Sequence, residues 1–286
     1  MKNITILTDS TCDLSPELIE KYEIMVFPLH IHLGEKEYSD GVDICPEDIY
    51  AWAEEHNTTP KTSALSLFEA KEYLKKALEQ SKEVICFCIS QQMSSCYDVM
   101  CMAVNELEVT DRVFVIDTMN LSTGNGLQIL ETANLIKKEM SAKQIVEYIQ
   151  NIQPQIRASF VVDTLTYLHR GGRCSGVAAF AGNALKLHPY IFVTDGKMQA
   201  GKKYRGKMEK VIKTYVDDLK PALQNAKKEY IFITHSGCED SIIQMVKKEL
   251  EELKYFDEIF ITRAGSVITS HCGPGTLGVL FIEQSI

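Results

Sequence analysis

Two hydrophobic periods alternate along this chain. Short apolar runs end in polar loops, and each loop opens a stretch whose apolar residues recur every three or four positions. Ile4 to Thr8 predicts a buried strand, closed by the polar loop Asp9-Ser10-Thr11-Cys12-Asp13. Ser15 as N-cap and Pro16 at the first helical position predict a helix. Ile24 to His32 and Lys36 to Ser39 predict strands joined around Gly34, and Pro46 to Glu55 a helix. Thr58 to Ser63 has the composition of a loop. Ser66 with Glu69 predicts a capping box for a helix running to about Gln80. Glu83 to Ile89 predicts a strand, Ser90 to Ser95 a loop, and the residues up to Leu107 a helix. Val113 to Ile116 predicts a strand ending in Asp117-Thr118. A helix through Leu127, Leu130, Leu135 and Ile136 comes next, and Ser141 with Gln144 caps another. Strand–loop–helix alternation of this kind predicts a parallel sheet with helices on both faces, a three-layer α/β/α unit.

The pattern changes between Asn151 and Pro154. A boundary there divides the chain into 1–153 and 154–286, two α/β domains of different design, in keeping with about 150 residues per domain. In the second, Ala158 to Val162 predicts a strand, and Thr164 to His169 a short helix stopped by Gly171-Gly172. Val177 to Leu187 is apolar and rich in small residues, which predicts a helix. Asp195-Gly196 joins two strand-like runs into a hairpin. Lys207 to Ala226 and Ser241 to Leu253 have helical periods. Tyr230 to Thr234 and Glu258 to Thr262 predict strands. Val267-Ile268 predicts a strand leading into Ser270-His271, Gly273-Pro274-Gly275 a tight turn, and Leu277 to Ile282 a last strand. The expected architecture is a mixed sheet with packed helices.

Composition narrows the function. Thirty basic against 39 acidic residues give a net charge of −9, which argues against a general nucleic-acid binder. No apolar run approaches the roughly 20 residues of a membrane span, so stable membrane insertion is not expected. Nine cysteines, an odd number with no Cys-x-x-Cys spacing and no secretory leader, suggest reduced thiols and a cytoplasmic protein.

The candidate chemistry gathers at predicted strand ends: Asp9-Ser10-Thr11, Thr62-Ser63, Ser94-Ser95, Asp117-Thr118, His235-Ser236 and Ser270-His271. Hydroxyls and imidazoles suit an anion with two oxygens, a carboxylate or phosphate. Any one of these hydroxyls taken alone is more readily read as a helix cap. Gly196 to Lys202 mimics a phosphate-binding loop, but Lys203 stands where Ser or Thr is required. Gly124-Asn125-Gly126 lacks the third glycine of a dinucleotide site. No nucleophile elbow is present. His30 and His32 share a strand face with no third ligand evident, so neither a metal nor a cofactor is expected. Arg170 and Arg173 flank Gly171-Gly172, and Arg205 follows the hairpin; these could hold an anion or dock a partner.

Together these segments resemble the DegV family of bacterial fatty-acid-binding proteins. The resemblance rests on Thr8-Asp9-Ser10-Thr11-Cys12-Asp13-Leu14, Tyr38-Ser39-Asp40-Gly41-Val42, Pro60-Lys61-Thr62-Ser63, Asp117-Thr118 and Gly124-Asn125-Gly126-Leu127. It continues through Gly171-Gly172-Arg173, Asp195-Gly196 and Ser270-His271-Cys272-Gly273-Pro274-Gly275. One segment departs: the family's Leu-Ser-Gly-Thr-Tyr is Met93-Ser94-Ser95-Cys96-Tyr97 here. The resemblance implies a long-chain fatty acid whose carboxylate meets Thr62, Ser94 and His271. It also implies a separate ATP-dependent kinase subunit that phosphorylates that carboxylate, so the chain itself is a carrier without catalytic residues. The acyl tail is expected along Ala178, Phe180, Gly182 and Leu185, and kinase docking at Arg170, Arg173 and Arg205. The competing expectations are an acyl-transfer enzyme or esterase using Ser94 with His271, and a lipid-sensing regulator.

Overall fold

The computed structural model describes residues 2–175 and 187–284, apart from the side chain of Ser175. The first half runs β1 (Lys2–Asp9), α1 (Pro16–Lys21), β2 (Met25–Phe27), β3 (His30–Leu33), β4 (Lys36–Ser39), α2 (Pro46–His56) and β5 (Lys61–Ser63). It continues with α3 (Leu67–Gln80), β6 (Ser81–Cys88), α4 (Cys96–Glu106), β7 (Val113–Asp117), α5 (Thr123–Lys137) and α6 (Ala142–Ile152). The second half has β8 (Ile156–Val161), α7 (Thr166–Gly171), β9 (Cys174–Ser175), β10 (Leu187–Thr194), β11 (Lys197–Arg205) and α8 (Met208–Leu223). It ends with β12 (Tyr230–Ser236), α9 (Asp240–Glu252), β13 (Glu258–Arg263), α10 (Ser266–Cys272) and β14 (Thr276–Ile282).

Strands β2-β1-β6-β7 form the expected parallel sheet. Strand β6 explains its burial on both faces. Val84, Cys86 and Cys88 enter one core with α3 and α4, whereas Ile85 and Phe87 enter another with α5 and α6. The single strand expected over Ile24 to His32 is two. Pro28 lacks an amide hydrogen and ends the parallel pairing, and the chain resumes as β3 in a small antiparallel sheet, β4-β3-β5. That sheet takes in Lys61–Ser63, so Thr62 sits on a strand and not on the loop expected from composition.

The second half is a seven-stranded mixed sheet, β13-β12-β14-β8-β10-β11-β9. Helices α8 and α9 cover its outer face over Ile231, Ile233 and Val279. The inner face meets α5. Phe232, Leu280, Ile156 and Ala158 share a core with Leu127, Ile129 and Leu130 of that helix. Helix α5 is therefore buried nearly all round, wedged between the two sheets.

The hairpin at Asp195-Gly196 forms as expected, with φ of 49° and 73° at the two residues, the geometry that a two-residue turn needs. Its tip rests on the first half, where the Ser90 hydroxyl donates to the Gly196 carbonyl at 2.7 Å. A Cβ at Gly196 would come within 2.6 Å of Ser90 Oγ. Glycine thus serves both the turn and the contact. The helix expected over Val177 to Leu187 falls, through residue 186, outside the described residues. Among the described residues no helix is long and apolar enough to cross a membrane.

Candidate functional site

Val267-Ile268, expected as a strand, lies in a helix, α10, which runs over Ser266–Cys272. Two β-branched residues in a short segment biased the local pattern toward a strand. What makes the helix is distant in sequence. The first amides of α10 are capped by Asp13 Oδ1, 2.8 Å from Gly265 N, and by Asp40 Oδ1, 2.7 Å from Ser266 N. Burial pushes both carboxyls above the usual range, opposed by these amide donors. Asp13 Oδ2 also accepts a hydrogen bond from Ser122 Oγ. That contact holds Ser122 at a φ of 53°, a left-handed backbone that serine seldom adopts. A further chain of hydroxyls runs from Tyr50 to Ser236 at 2.8 Å and on to Thr269 of α10 at 3.0 Å.

The other end of α10 carries His271. Its Nε2 lies 2.8 Å from Thr62 Oγ1, and its Nδ1 is buried without a hydrogen-bond partner. Gly171 explains that close packing, since a Cβ there would come 2.4 Å from Nδ1. Burial, reinforced by the positive charge of Arg173, brings the His271 pKa down to about 4, so the ring is neutral at pH 7. A neutral ring carries one N–H. Placing it on Nδ1 would bury a donor with no acceptor, which costs about 1–3 kcal/mol. The proton therefore belongs on Nε2, donating to Thr62, and the Thr62 hydroxyl hydrogen is left to point elsewhere.

Thr62 lines a cavity of about 290 Å³. Among the described residues, Leu29, Ile89, Leu121, Phe160, Leu168 and Leu280 supply apolar wall from both halves of the chain. Thr62, Ser94, Ser95, Arg173 and His271 supply polar lining. The three residues expected to meet a carboxylate thus line one cavity. Ser94 Oγ accepts from Cys96 N at 3.3 Å, while His271 Nε2 is engaged by Thr62, so no Ser94–His271 pair is formed. Ser95, in place of the family's glycine, has an ordinary φ of −80°. Cys96, in place of threonine, turns away from the cavity, with Sγ 3.8 Å from Asp9 Oδ2.

The arginines separate. Arg173 is solvent-exposed along part of its length but lines the cavity, with Nη1 donating to the Gly171 carbonyl at 2.7 Å. Arg170 is exposed on α7. Arg205 is exposed seven residues along β11 from the cavity-lining Met198, about 23 Å in extended chain. Ala178, Phe180, Gly182 and Leu185 lie outside the described residues.

Several expected ligand groups are internal fittings. Asp9 accepts from Thr11 N and Ile89 N, Asp117 from Gln91 N and Met119 N, and Ser10 Oγ from Leu29 N. Ser236 faces the cavity. His235, one residue earlier, also lines the cavity, and burial and Arg263 lower its pKa. His30 binds Glu69 and His32 binds Ser63. The roles of Asp13, Asp40 and Ser122 escaped the sequence reading. Their partners lie 252, 226 and 109 residues away, and no local signal announces them.

Fold and site define a class: two unlike α/β units that close an apolar cavity at their junction, with hydroxyls and the imidazoles of His235 and His271 in its wall. Residues 3–284 match the family model described as "Uncharacterised protein, DegV family". The chain belongs to the DegV family. It is 34% identical to a DegV domain-containing protein of Clostridium perfringens, over 99% of this chain and 100% of that one. Among solved structures it is similar to a DegV family protein from Thermus thermophilus described as binding fatty acid. The TM-score is 0.90 at 29% identity, over 99% of this chain and 100% of that one. It is also similar to a stearic-acid-binding protein from Eubacterium ventriosum, with a TM-score of 0.85 at 26% identity over 99% and 98% of the two chains.

Proposed function

We propose that this chain binds a long-chain fatty acid in the junction cavity and presents its carboxyl group to a separate ATP-dependent kinase. One observation carries the binding reading: an apolar cavity of about 290 Å³ whose wall includes the Thr62–His271 pair. Each CH₂ removed from water contributes about 0.8 kcal/mol. The carboxylate takes the Thr62 hydroxyl hydrogen, a second from Ser94, and the field of Arg173. The tail runs between the halves, which we divide at residue 153, and onward along the segment holding Ala178, Phe180, Gly182 and Leu185. The fatty-acid-binding relatives support the same ligand class. Mass spectrometry of the natively purified chain is expected to detect a bound fatty acid, and the delipidated chain to rebind oleate or stearate. A delipidated chain that takes up neither would overturn the reading.

The kinase half of the proposal rests on the family resemblance and on chemistry. An acid whose tail is buried reacts only at its exposed carboxyl end, and an ATP-bearing partner with acidic metal ligands would favour a basic rim. The chain alone with ATP and oleate is expected to form no acyl phosphate. Arg205→Ala is expected to reduce acyl-phosphate formation with the kinase at unchanged fatty-acid affinity. Arg173→Ala, beside the cavity, is expected to lower both. An Arg205→Ala variant that keeps full kinase-dependent turnover would remove that residue from the docking surface.

A further inference from the structure

Beside the cavity wall, Asp9 at the end of β1, Cys88 at the end of β6 and Cys96 at the start of α4 turn their side chains toward one another. One ligand atom from each lies within 4.8 Å of the other two, and all three residues are buried. Both cysteines are outside any disulfide. Cys86, two residues before Cys88 on the same strand face, flanks the group.

Three further facts bear on this trio. The donor set is chemically specific: two sulfurs and a carboxylate suit a borderline-soft d¹⁰ cation such as Zn²⁺ or Cd²⁺. The geometry is nearly closed. Tetrahedral bonds of about 2.3 Å put two sulfurs about 3.8 Å apart, so no pair need approach by more than about 1 Å, and Cys96 Sγ already lies 3.8 Å from Asp9 Oδ2. Asp9 is already oriented, by Thr11 N at 2.9 Å on Oδ1 and Ile89 N at 2.6 Å on Oδ2, as outer contacts orient a metal ligand. Without a cation, burial holds the Cys88 thiol protonated, and Cys96 is raised to about 11.

We propose that Asp9, Cys88 and Cys96 form a binding site for a thiophilic divalent cation. Binding breaks two S–H bonds, forms two metal–sulfur bonds and releases two protons to solvent, with no change of oxidation state. The cation would tie together both ends of the 89–95 segment, which carries Ile89, Met93, Ser94 and Ser95 into the cavity wall.

The test is a Cd²⁺ titration of the reduced, chelator-stripped full chain against a competing chelating indicator. We expect one equivalent to be taken up, with a sulfur-to-cadmium charge-transfer band and release of about two protons. Cys96→Thr, the residue that the family pattern places there, should lose the band. Cys45→Ser, which removes an exposed thiol, should keep it. Saturating Zn²⁺ should raise the unfolding midpoint of the parent on the order of 5 °C and leave Cys96→Thr unmoved. No indicator-resistant Cd²⁺ in the parent, or the same band in Cys96→Thr, would overturn the site. If Cys96→Thr does not fold, Cys88→Ala decides by the same criteria.

Discussion

Replacing Asp13 with Ala is expected to lower stability by about 2–4 kcal/mol and to weaken fatty-acid binding with it. Asp13 caps Gly265 N and holds Ser122 Oγ, so its loss leaves a buried amide and a left-handed serine without their partner. Helix α10 has only seven residues and too few internal hydrogen bonds to stand unaided. When its first turn loosens, His271 in its last turn loses register with Thr62. Asp13→Asn should be milder. Burial already pushes the Asp13 carboxyl toward its neutral form, which an amide imitates, and one acceptor oxygen remains. Urea unfolding of the two variants beside an oleate titration reads both effects. An Asp13→Ala variant within about 0.5 kcal/mol of the parent would show that α10 does not depend on this cap.

Thr62→Ala combined with Ser94→Ala is expected to weaken fatty-acid binding by more than roughly tenfold, about 1.4 kcal/mol. The tautomer of His271 sets the direction. With Nε2–H donating to Thr62, the hydroxyl hydrogen of Thr62 faces a ligand oxygen, and Ser94 offers a second. Thr62→Ser keeps the hydroxyl and should stay near the parent. Calorimetric titration of delipidated protein distinguishes the three. A double variant with parental affinity would remove both hydroxyls from the head-group site.

What could be read from the sequence was local. The capping boxes at Ser66 and Ser141 and the Asp195-Gly196 turn form as expected, because each is a bargain among neighbours a few residues apart. The family motifs were legible as motifs but not as roles. Asp13 and Asp40 stand inside quoted segments, yet they cap a helix more than 220 residues away. For the same reason the sequence suggests a strand at Val267-Ile268 where α10 forms: the helix caps come from elsewhere in the chain, and Val267-Ile268 alone favours extended backbone. Hydroxyls and imidazoles at strand ends mark six candidate loops, and it is the family resemblance that selects Thr62, Ser94 and His271 among them. For Arg173 the sequence leaves two roles open, holding an anion or docking a partner, since nothing in Gly171-Gly172-Arg173 says which way the chain turns next; the structure puts it in the cavity wall.

The wedge position of α5 limits how this chain can be taken apart. A cut at residue 153 leaves the helix with the first half, but Phe232, Leu280, Ile156 and Ala158, which cover its far side, go with the second. Each fragment would then carry an uncovered apolar face. A chimera joining one half of this chain to the complementary half of a relative would have to match that seam residue by residue. The junction that encloses the cavity is thus also what makes the two halves poor candidates for independent exchange.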